Sequence, residues 1–245
     1  MNGFTIPQAA PEPHDDEQIM KKVSESTVAR LSVYLRLLTE VAAAGVTTLA
    51  SEELARRCGT SAAQVRKDLS FFGTFGKRGL GYSVPELTAA LRGILGLERR
   101  WRVALIGAGK IGAALMAYQD FRRQGFDIVA VFDADPSKVG TKWQGLIVES
   151  DADLKRSLQG IDIAIVAVPA EAAQGVVNRV TSAGVRAILN FAPTKLTVPD
   201  EVTVKTVNMA LELEGLSYAL VNSTRGTRRV TSRPAASRGG GQRDE

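Results

Sequence analysis

The chain has 245 residues and a formal net charge of +5, with 44% hydrophobic and 23% charged residues. That composition fits one large or two small domains with sizeable hydrophobic cores. No apolar run approaches the ~20 residues that cross a bilayer, and the N-terminus has no signal-peptide pattern, so we expect a cytoplasmic protein without a membrane segment. The single cysteine, Cys58, excludes an internal disulfide and a cysteine-based metal cluster. We expect this thiol to pack in a helix, and redox sensing is the alternative.

Charge is distributed unevenly along the chain. Residues 56–82 carry six basic side chains and one acidic one, and residues 225–245 carry six arginines and two acids. Residues 1–20 carry four acids and no base. Because residues 1–22 and 224–245 also lack an apolar period, we predict a disordered leader and a disordered basic tail.

Three helices are predicted between residues 23 and 70. The first is capped by Ser24 or Ser26. A second helix opens at Thr48, with Ser51 as its cap, and a third runs from Ser61 to Ser70. The apolar face of the first helix recurs at helical spacing and consists of Val28, Leu31, Leu35, Leu38 and Val41.

The second and third helices are joined through Cys58-Gly59-Thr60-Ser61, which is the spacing of a helix-turn-helix. The third helix has an apolar face at Ala62, Val65 and Leu69. The side chains expected to point outward are Gln64, Arg66, Lys67 and Asp68. Of these, we expect Gln64, Arg66 and Lys67 to contact DNA, together with Ser61 of the turn.

Glycines and aromatic residues from Phe71 to Tyr82 are typical of a small hairpin, or wing, whose tip carries Lys77 and Arg78. A reading helix followed by a basic wing predicts a winged-helix DNA-binding domain over residues 23–98, which ends in a linking helix from Val84 to Leu97. The alternative is a solvated basic face on a small helical bundle.

A glycine-rich motif follows a predicted buried strand, Val103–Ile106. It reads Gly107-Ala108-Gly109-Lys110-Ile111-Gly112, the G-x-G-x-x-G pattern of dinucleotide-binding folds. Gly107 allows a tight turn, Gly109 allows backbone to approach a pyrophosphate, and Gly112 allows helix to pack closely on strand. The N-terminus of the following helix offers free N–H groups to the phosphates.

A second strand, Phe126–Asp133, ends in a carboxylate about 20 residues beyond the last glycine, where it can bind the adenosine ribose. This acid favours NAD over NADP, because it repels a 2′-phosphate. A chance acid in a surface loop is the alternative.

Further strands are predicted at residues 161–168, 185–191 and 202–207, which gives a Rossmann domain over residues 99–207. The loops at Val168-Pro169 and Asn190-Phe191 reach the carboxyl edge of the sheet, where such folds bind ligands. The final helix, Met209–Val221, is apolar all round, so it packs on its own sheet or, as we favour, inserts into a second subunit across residues 208–223.

Two other functions are weighed against DNA regulation. A dehydrogenase needs a proton-transfer residue and a substrate domain, but the only histidine is His14 in the leader, no Tyr-x-x-x-Lys pair occurs, and Lys195 fits an exposed loop better than a base. A CoA-binding module shares the same βαβ opening, and Asp133 opposes it only mildly. Without His or Cys clusters, no metal is expected.

The chain closely resembles the Rex family of redox-sensing transcriptional repressors from about Val23 to Val221. The matching stretches include Gln64–Leu69, Gly79–Tyr82, Gly107–Gly112 and Asn190–Pro193, together with Arg30-Leu31, Tyr34-Leu35-Arg36 and Phe132–Pro136. The resemblance implies an α/β fold: an N-terminal winged-helix DNA-binding domain, then a Rossmann NAD-binding domain, then a C-terminal helix exchanged between subunits.

The resemblance also implies a function and its residues. It implies a homodimer that binds palindromic operator DNA when NAD⁺ prevails and releases it when NADH binds. Arg66, Lys67, Lys77 and Arg78 would contact the operator, and the glycine loop with Asp133 would hold NAD. Arg36 and Tyr118 match positions of the family's switch between domains, and Asn208 stands where the family commonly has an Asp that can pair with the arginine.

Overall fold

The computed structural model describes residues 23–77 and 79–230. The predicted leader, Arg78 at the predicted wing tip and residues 231–245 of the predicted tail lie outside the described residues. The chain divides into two compact units, Met1–Arg100 and Trp101–Glu245.

The first unit begins with helix α1. The Ser24 hydroxyl accepts the backbone N–H of Thr27 at 3.2 Å and caps the helix, as predicted. The elements of this unit are α1 (Glu25–Ala43), β1 (Thr48–Leu49), α2 (Ser51–Arg57), α3 (Ala62–Ser70), β2 (Tyr82–Ser83) and α4 (Val84–Ile94).

The predicted apolar face of α1 is wrong at its first position. Val28 is 43% exposed. The buried stripe instead recurs at alternating spacings of four and three residues, which keeps one face of the helix inward, and it consists of Thr27, Leu31, Tyr34, Leu38 and Val41, with Leu35 beside them.

The predicted start of the second helix is also wrong. Thr48 and Leu49 form β1, which pairs antiparallel with Tyr82 and Ser83 of β2. The extended cap position therefore falls on Ala50, and Ser51 becomes the first helical residue, with its hydroxyl bonded to the Glu52 carboxylate. Pairing with a strand more than 30 residues away, which local periodicity does not reveal, overrides the predicted helix.

The four helices described in the first unit pack around one apolar core. Leu31, Leu54, Val65 and Leu91 are each fully buried in it. Cys58 is half-buried against the same core, where burial, with a smaller effect of the Glu40 charge, raises the pKa of its thiol. A raised pKa leaves little thiolate, so packing explains this cysteine better than redox sensing does.

The second unit is built on a seven-stranded sheet in the order β5-β6-β4-β3-β7-β8-β9. Its strands are β3 (Trp101–Ile106), β4 (Phe126–Asp133), β5 (Lys142–Trp143), β6 (Leu146–Ser150), β7 (Ile163–Val166), β8 (Ala187–Asn190) and β9 (Thr203–Thr206). All neighbouring strands are parallel except the β5–β6 pair. Apart from the edge strand β5, this is the strand order of dinucleotide-binding Rossmann folds, which reverses between β3 and β7.

Helices cover both faces of this sheet. Side chains from α7 and α8 pack with Ala104 and Ile106 of β3, whereas side chains from α5 and α6 pack with Val103 and Leu105 on the opposite face. The helices of the second unit are α5 (Lys110–Ala117), α6 (Gln119–Arg123), α7 (Leu154–Ser157), α8 (Ala170–Ser182) and α9 (Met209–Val230).

Helix α9 is longer than predicted. It continues to Val230, so the predicted disorder is wrong at residues 224–230, which are helical. The segment contains no proline, and extending an existing helix costs no nucleation, which explains the continuation.

Candidate functional site

The helix-turn-helix forms as predicted. Helix α2 ends at Arg57 and α3 begins at Ala62. The Ser61 side chain accepts the backbone N–H of Gln64 at 3.1 Å. Ser61, which was predicted to face DNA, therefore acts as the N-cap of α3.

Asp68 does not point outward as predicted, because it is fully buried. Arg30 donates to both of its carboxyl oxygens, at 2.6 and 2.7 Å, and the Tyr34 hydroxyl and the Gln64 amide donate at 2.9 and 2.8 Å. Burial alone would raise the pKa of Asp68, but these donors outweigh it and hold that pKa below its ordinary value. The ionised carboxylate ties α3 to α1.

Arg66 and Lys67 are the exposed cations of α3. The Arg66 guanidinium donates to the Ser51 hydroxyl at 2.9 Å and lies 3.3 Å from the Glu52 carboxylate. Because the Arg66 side chain is 56% exposed and that of Glu52 is 72% exposed, the ion pair is weak and leaves Arg66 able to reach a phosphate or a base.

The wing lies beside α3. A bridge between Lys77 and Gly81 closes its hairpin, and the β1–β2 pair forms its base. A cleft of about 750 Å³ separates the wing from α3 and the start of α2, and it is lined in part by Glu52, Arg66, Leu69, Phe75, Lys77 and Tyr82. Lys77 therefore borders the same cleft as Arg66, while the structure does not describe Arg78.

The glycine loop lies between β3 and α5, at the point where the strand order reverses. Gly107 has a φ of +107°, and a Cβ on it would collide with the Ala167 carbonyl oxygen. A Cβ on Gly112 would collide with the Gly107 carbonyl oxygen. Apart from its two chain neighbours, no residue that the structure describes lies within 4 Å of a Cβ on Gly109. The loop thus presents open backbone at Gly109 and is fixed on either side of it.

No side chain in the described part of the chain caps the N-terminus of α5. Lys110 and Ile111, which open this helix, are both exposed. The N–H groups of a first helical turn point away from the helix and attract anions. This arrangement fits the pyrophosphate of a dinucleotide.

Asp133 lies at the carboxyl end of β4 and is bonded to the glycine loop. One carboxyl oxygen accepts the Ala108 N–H at 2.7 Å and the Lys138 ammonium at 3.1 Å, and the other accepts the Asp135 N–H at 2.8 Å. Burial raises the pKa of Asp133, but these donors outweigh it and hold that pKa below its ordinary value. A carboxylate accepts about four hydrogen bonds, so room for a ribose hydroxyl remains. No pattern in the sequence indicates that Lys138 contacts Asp133.

Two further loops end at the same edge of the sheet. Val168 follows β7, and its side chain would lie 3.3 Å from a Cβ on Gly107. Pro169 is the residue before α8 and borders this edge. The Asn190 amide is fully buried and bonds to the backbone of Ala192, so it orders its own loop. Asn190 would therefore act on a ligand through the loop's backbone and the half-buried Phe191.

The three predicted switch residues are divided between the units. Arg36 is exposed on α1 in the first unit. Tyr118, between α5 and α6, is 51% exposed and stacks edge-to-face on Phe121. The side-chain oxygen Oδ1 of Asn208 accepts the Ala210 N–H at 3.0 Å and caps α9. Asn commonly takes this role, which was not predicted from the sequence. Their pairing stays a prediction.

Two family models match the chain. The family "Putative DNA-binding protein N-terminus" matches residues 22–70, which contain α1 to α3. The family "CoA binding domain" matches residues 98–194, which contain the glycine loop and most of the sheet.

Three relatives decide the family. The redox-sensing transcriptional repressor Rex of Carboxydothermus hydrogenoformans is 46% identical over 200 residues, which are 80% of this chain and 96% of the relative. The Rex of Thermus thermophilus is 45% identical over 82% of this chain and 95% of its own. The Rex of Streptomyces avermitilis is 44% identical over 80% of this chain and 79% of its own. The chain belongs to the Rex family.

Solved Rex structures agree with this assignment. The repressor RSP in complex with NAD⁺ and operator DNA has a TM-score of 0.79 and 35% identity over 87% of this chain and 99% of its own. RSP in complex with NADH has a TM-score of 0.77 and 34% identity over 86% of this chain and 99% of its own. The predicted family and its combination of DNA-binding domain and Rossmann sheet are confirmed. Rex relatives are named as repressors of transcription, so the dehydrogenase alternative is not favoured.

The described residues contain neither a membrane span nor a metal cluster. No described helix combines the length and apolarity that a membrane span requires. Among residues 23–77 and 79–230, no three His, Cys, Asp or Glu side chains come together as metal ligands do.

Proposed function

We propose that this protein represses transcription by binding operator DNA through α3 and the wing, and that it senses the NADH/NAD⁺ balance through the glycine loop. One observation carries the proposal: RSP, which aligns with 87% of this chain, was solved with both NAD⁺ and operator DNA. The exposed Arg66 and Lys67 supply the positive charge that DNA attracts. Residues 23–98 are the DNA-binding domain and residues 99–207 the NAD(H)-binding domain.

The backbone of the glycine loop and the Asp133 carboxylate bind the dinucleotide. The open backbone at Gly109 and the uncapped start of α5 face the pyrophosphate, and Asp133 accepts a ribose hydroxyl. The loops at Val168-Pro169 and Asn190-Phe191 border the nicotinamide end. The nicotinamide of NAD⁺ is charged and that of NADH is neutral, so an apolar pocket there prefers NADH.

A second subunit completes the proposed repressor. Several large apolar side chains between residues 209 and 220 of α9 are 60–74% exposed in the isolated chain, and they include Leu211, Leu213, Leu216, Tyr218 and Leu220. An exposed apolar surface of this size is typical of a protein–protein interface. A homodimer that exchanges α9 over residues 208–223 supplies it and matches a palindromic operator. The dimer acts in the cytoplasm and uses no metal ion.

Calorimetric titration tests the ligand. We expect NADH to bind more tightly than NAD⁺, by about tenfold or more. We expect CoA to bind measurably more weakly than either, because the adenosine ribose of CoA carries a 3′-phosphate, which the Asp133 carboxylate placed for the ribose hydroxyls would repel. Tighter binding of CoA than of NADH would favour the CoA-binding module that the family model at residues 98–194 names.

Arg66→Ala tests the reading helix. It should weaken operator binding by about 1–3 kcal/mol and relax base preference at one operator position, because a long cation of a recognition helix contacts base edges or phosphates. NADH affinity should not change, since Arg66 lies in the first unit. Arg186→Ala, which removes an exposed cation of the second unit, is the matched control for net charge. Loss of NADH binding in Arg66→Ala would mean that the two activities are assigned to the wrong units.

Asn208→Asp tests the switch. Asp caps helices as well as Asn does, so α9 should keep its start. The added charge can pair with Arg36, as the resemblance implies for the family's Asp, and should change the NADH concentration that releases the operator. Arg36→Ala should cancel this change. Release that is identical in the wild type and in Asn208→Asp would exclude the contact as the switch.

A further inference from the structure

The buried carboxylate of Asp68 has a complete set of donors. One oxygen accepts Arg30 Nη2 and Gln64 Nε2, and the other accepts Arg30 Nε and the Tyr34 hydroxyl. A carboxylate offers about two acceptor positions on each oxygen. All are filled, and Asp68 is fully buried, so the arrangement is fixed from inside the fold.

This network determines which way the Gln64 amide faces. The two ends of a glutamine amide differ, because its NH₂ group donates and its oxygen accepts. Turning the amide over would place its oxygen 2.8 Å from a carboxylate oxygen, and two acceptors repel each other at that distance. Nε2 is therefore held inward. Among residues 23–77 and 79–230, no donor bonds to Gln64 Oε1.

Gln64 also occupies the part of α3 that reads bases. It is the third residue of the helix and lies one turn before Asp68, to which its amide is bonded. In helix-turn-helix proteins, the N-terminal residues of the recognition helix contact base edges. In the major groove, adenine and cytosine present an amino group as donor, whereas guanine and thymine present an oxygen as acceptor.

We propose that Gln64 reads one operator base pair with its amide oxygen, which Asp68 holds outward, and that it contacts the exocyclic amino group of that pair. The proposal predicts adenine or cytosine at that contact, because these are the bases that present an amino group in the major groove. Asp68 thus acts as a positioning residue for specificity, and the proposal rests on the function proposed above.

The test begins with operators selected from random DNA by the full-length protein and by Gln64→Ala, which should relax the preference at one base pair. Two versions of the selected operator are then synthesised, one without the amino group and one without the oxygen that this base pair presents in the major groove. Removing the amino group of adenine or cytosine should weaken wild-type binding about tenfold and leave Gln64→Ala binding unchanged. Removing the oxygen of the paired thymine or guanine should leave the wild type within about twofold. The reverse result would overturn the proposal.

Two variants separate positioning from folding. Asp68→Asn lets the Gln64 amide face either way and should relax the preference at that same base pair. Tyr34→Phe removes a donor from the other carboxyl oxygen, so it should lower stability and keep the base preference. If Asp68→Asn does not fold, binding of the wild type to the operators that lack the amino group still tests the proposal. Failure of the wild type to select any operator would instead reject the proposed function itself.

Discussion

Gly112→Ala is expected to abolish NADH binding and to destabilise the second unit. A Cβ at this position would overlap the Gly107 carbonyl oxygen, which is backbone of the glycine loop and has no room to move because Gly107 itself abuts Ala167. Helix α5 would have to shift away from β3, and overpacking of this kind costs about 1–3 kcal/mol. The shift would also displace the amides that we assign to the pyrophosphate.

Two other glycines make the result specific. Gly109→Ala meets nothing within 4 Å and keeps a φ of −90°, so the fold should be unchanged while the methyl group blocks the approach of a pyrophosphate. Gly175→Ala, within α8 and with open space around it, should stabilise by up to about 1 kcal/mol and keep NADH affinity. Thermal unfolding and calorimetry measure both quantities. Wild-type NADH affinity in Gly109→Ala would contradict the assigned site.

Arg30→Ala is expected to destabilise the first unit by about 3–5 kcal/mol, because it leaves the buried Asp68 carboxylate without its paired cation. The matched control is Arg57→Ala. Its ion pair with Glu53 has the same 2.6 Å length, but the two side chains are 43% and 31% exposed, so its loss should be much smaller. Equal losses in denaturant unfolding would show that burial of Asp68 is not what makes its pair strong.

Acid unfolding should test the same ion pair between Arg30 and Asp68. The folded pKa of Asp68 lies below its ordinary value, so this carboxylate stabilises the fold fully above the unfolded pKa of about 3.9, and the contribution is lost as pH falls through the folded pKa. Without Arg30 the folded pKa rises. The acid unfolding midpoint of Arg30→Ala should therefore move to higher pH, and an unchanged midpoint would contradict this account.

Much of the site follows from local sequence. The sequence predicts the position of the glycine loop after β3 and of Asp133 at the end of β4, because strand, turn, helix and strand are contiguous, and Gly107 and Gly112 meet close backbone contacts. Their role in binding NAD stays a prediction. Asp68 was misplaced, although it lies one helical turn after Val65 and therefore on the buried face of α3. Its charge favoured a solvent-exposed position in the prediction. Its burial is favourable because the distant Arg30 and Tyr34 donate hydrogen bonds to it.

The two short edge pairings differ in how far the sequence reveals them. Thr48 and Leu49 form β1 by pairing with the distant β2, and local periodicity carries no signal of such a partner. Strand β5 pairs with β6 across the two-residue turn Gln144-Gly145, in which both residues have a positive φ. A turn of this kind is a local hairpin signal, so β5 was predictable from the sequence although it was not predicted.

The central claim is that this protein converts the redox state of NAD into occupancy of DNA. Fluorescence anisotropy with a selected operator, at fixed salt and with saturating NAD⁺ or NADH, tests it most directly. We predict a palindromic operator that the dimer binds tightly with NAD⁺ and about 5–150-fold more weakly with NADH, the usual range of coupling between two sites. Equal affinity with both nucleotides, at concentrations where calorimetry shows both bound, would contradict it.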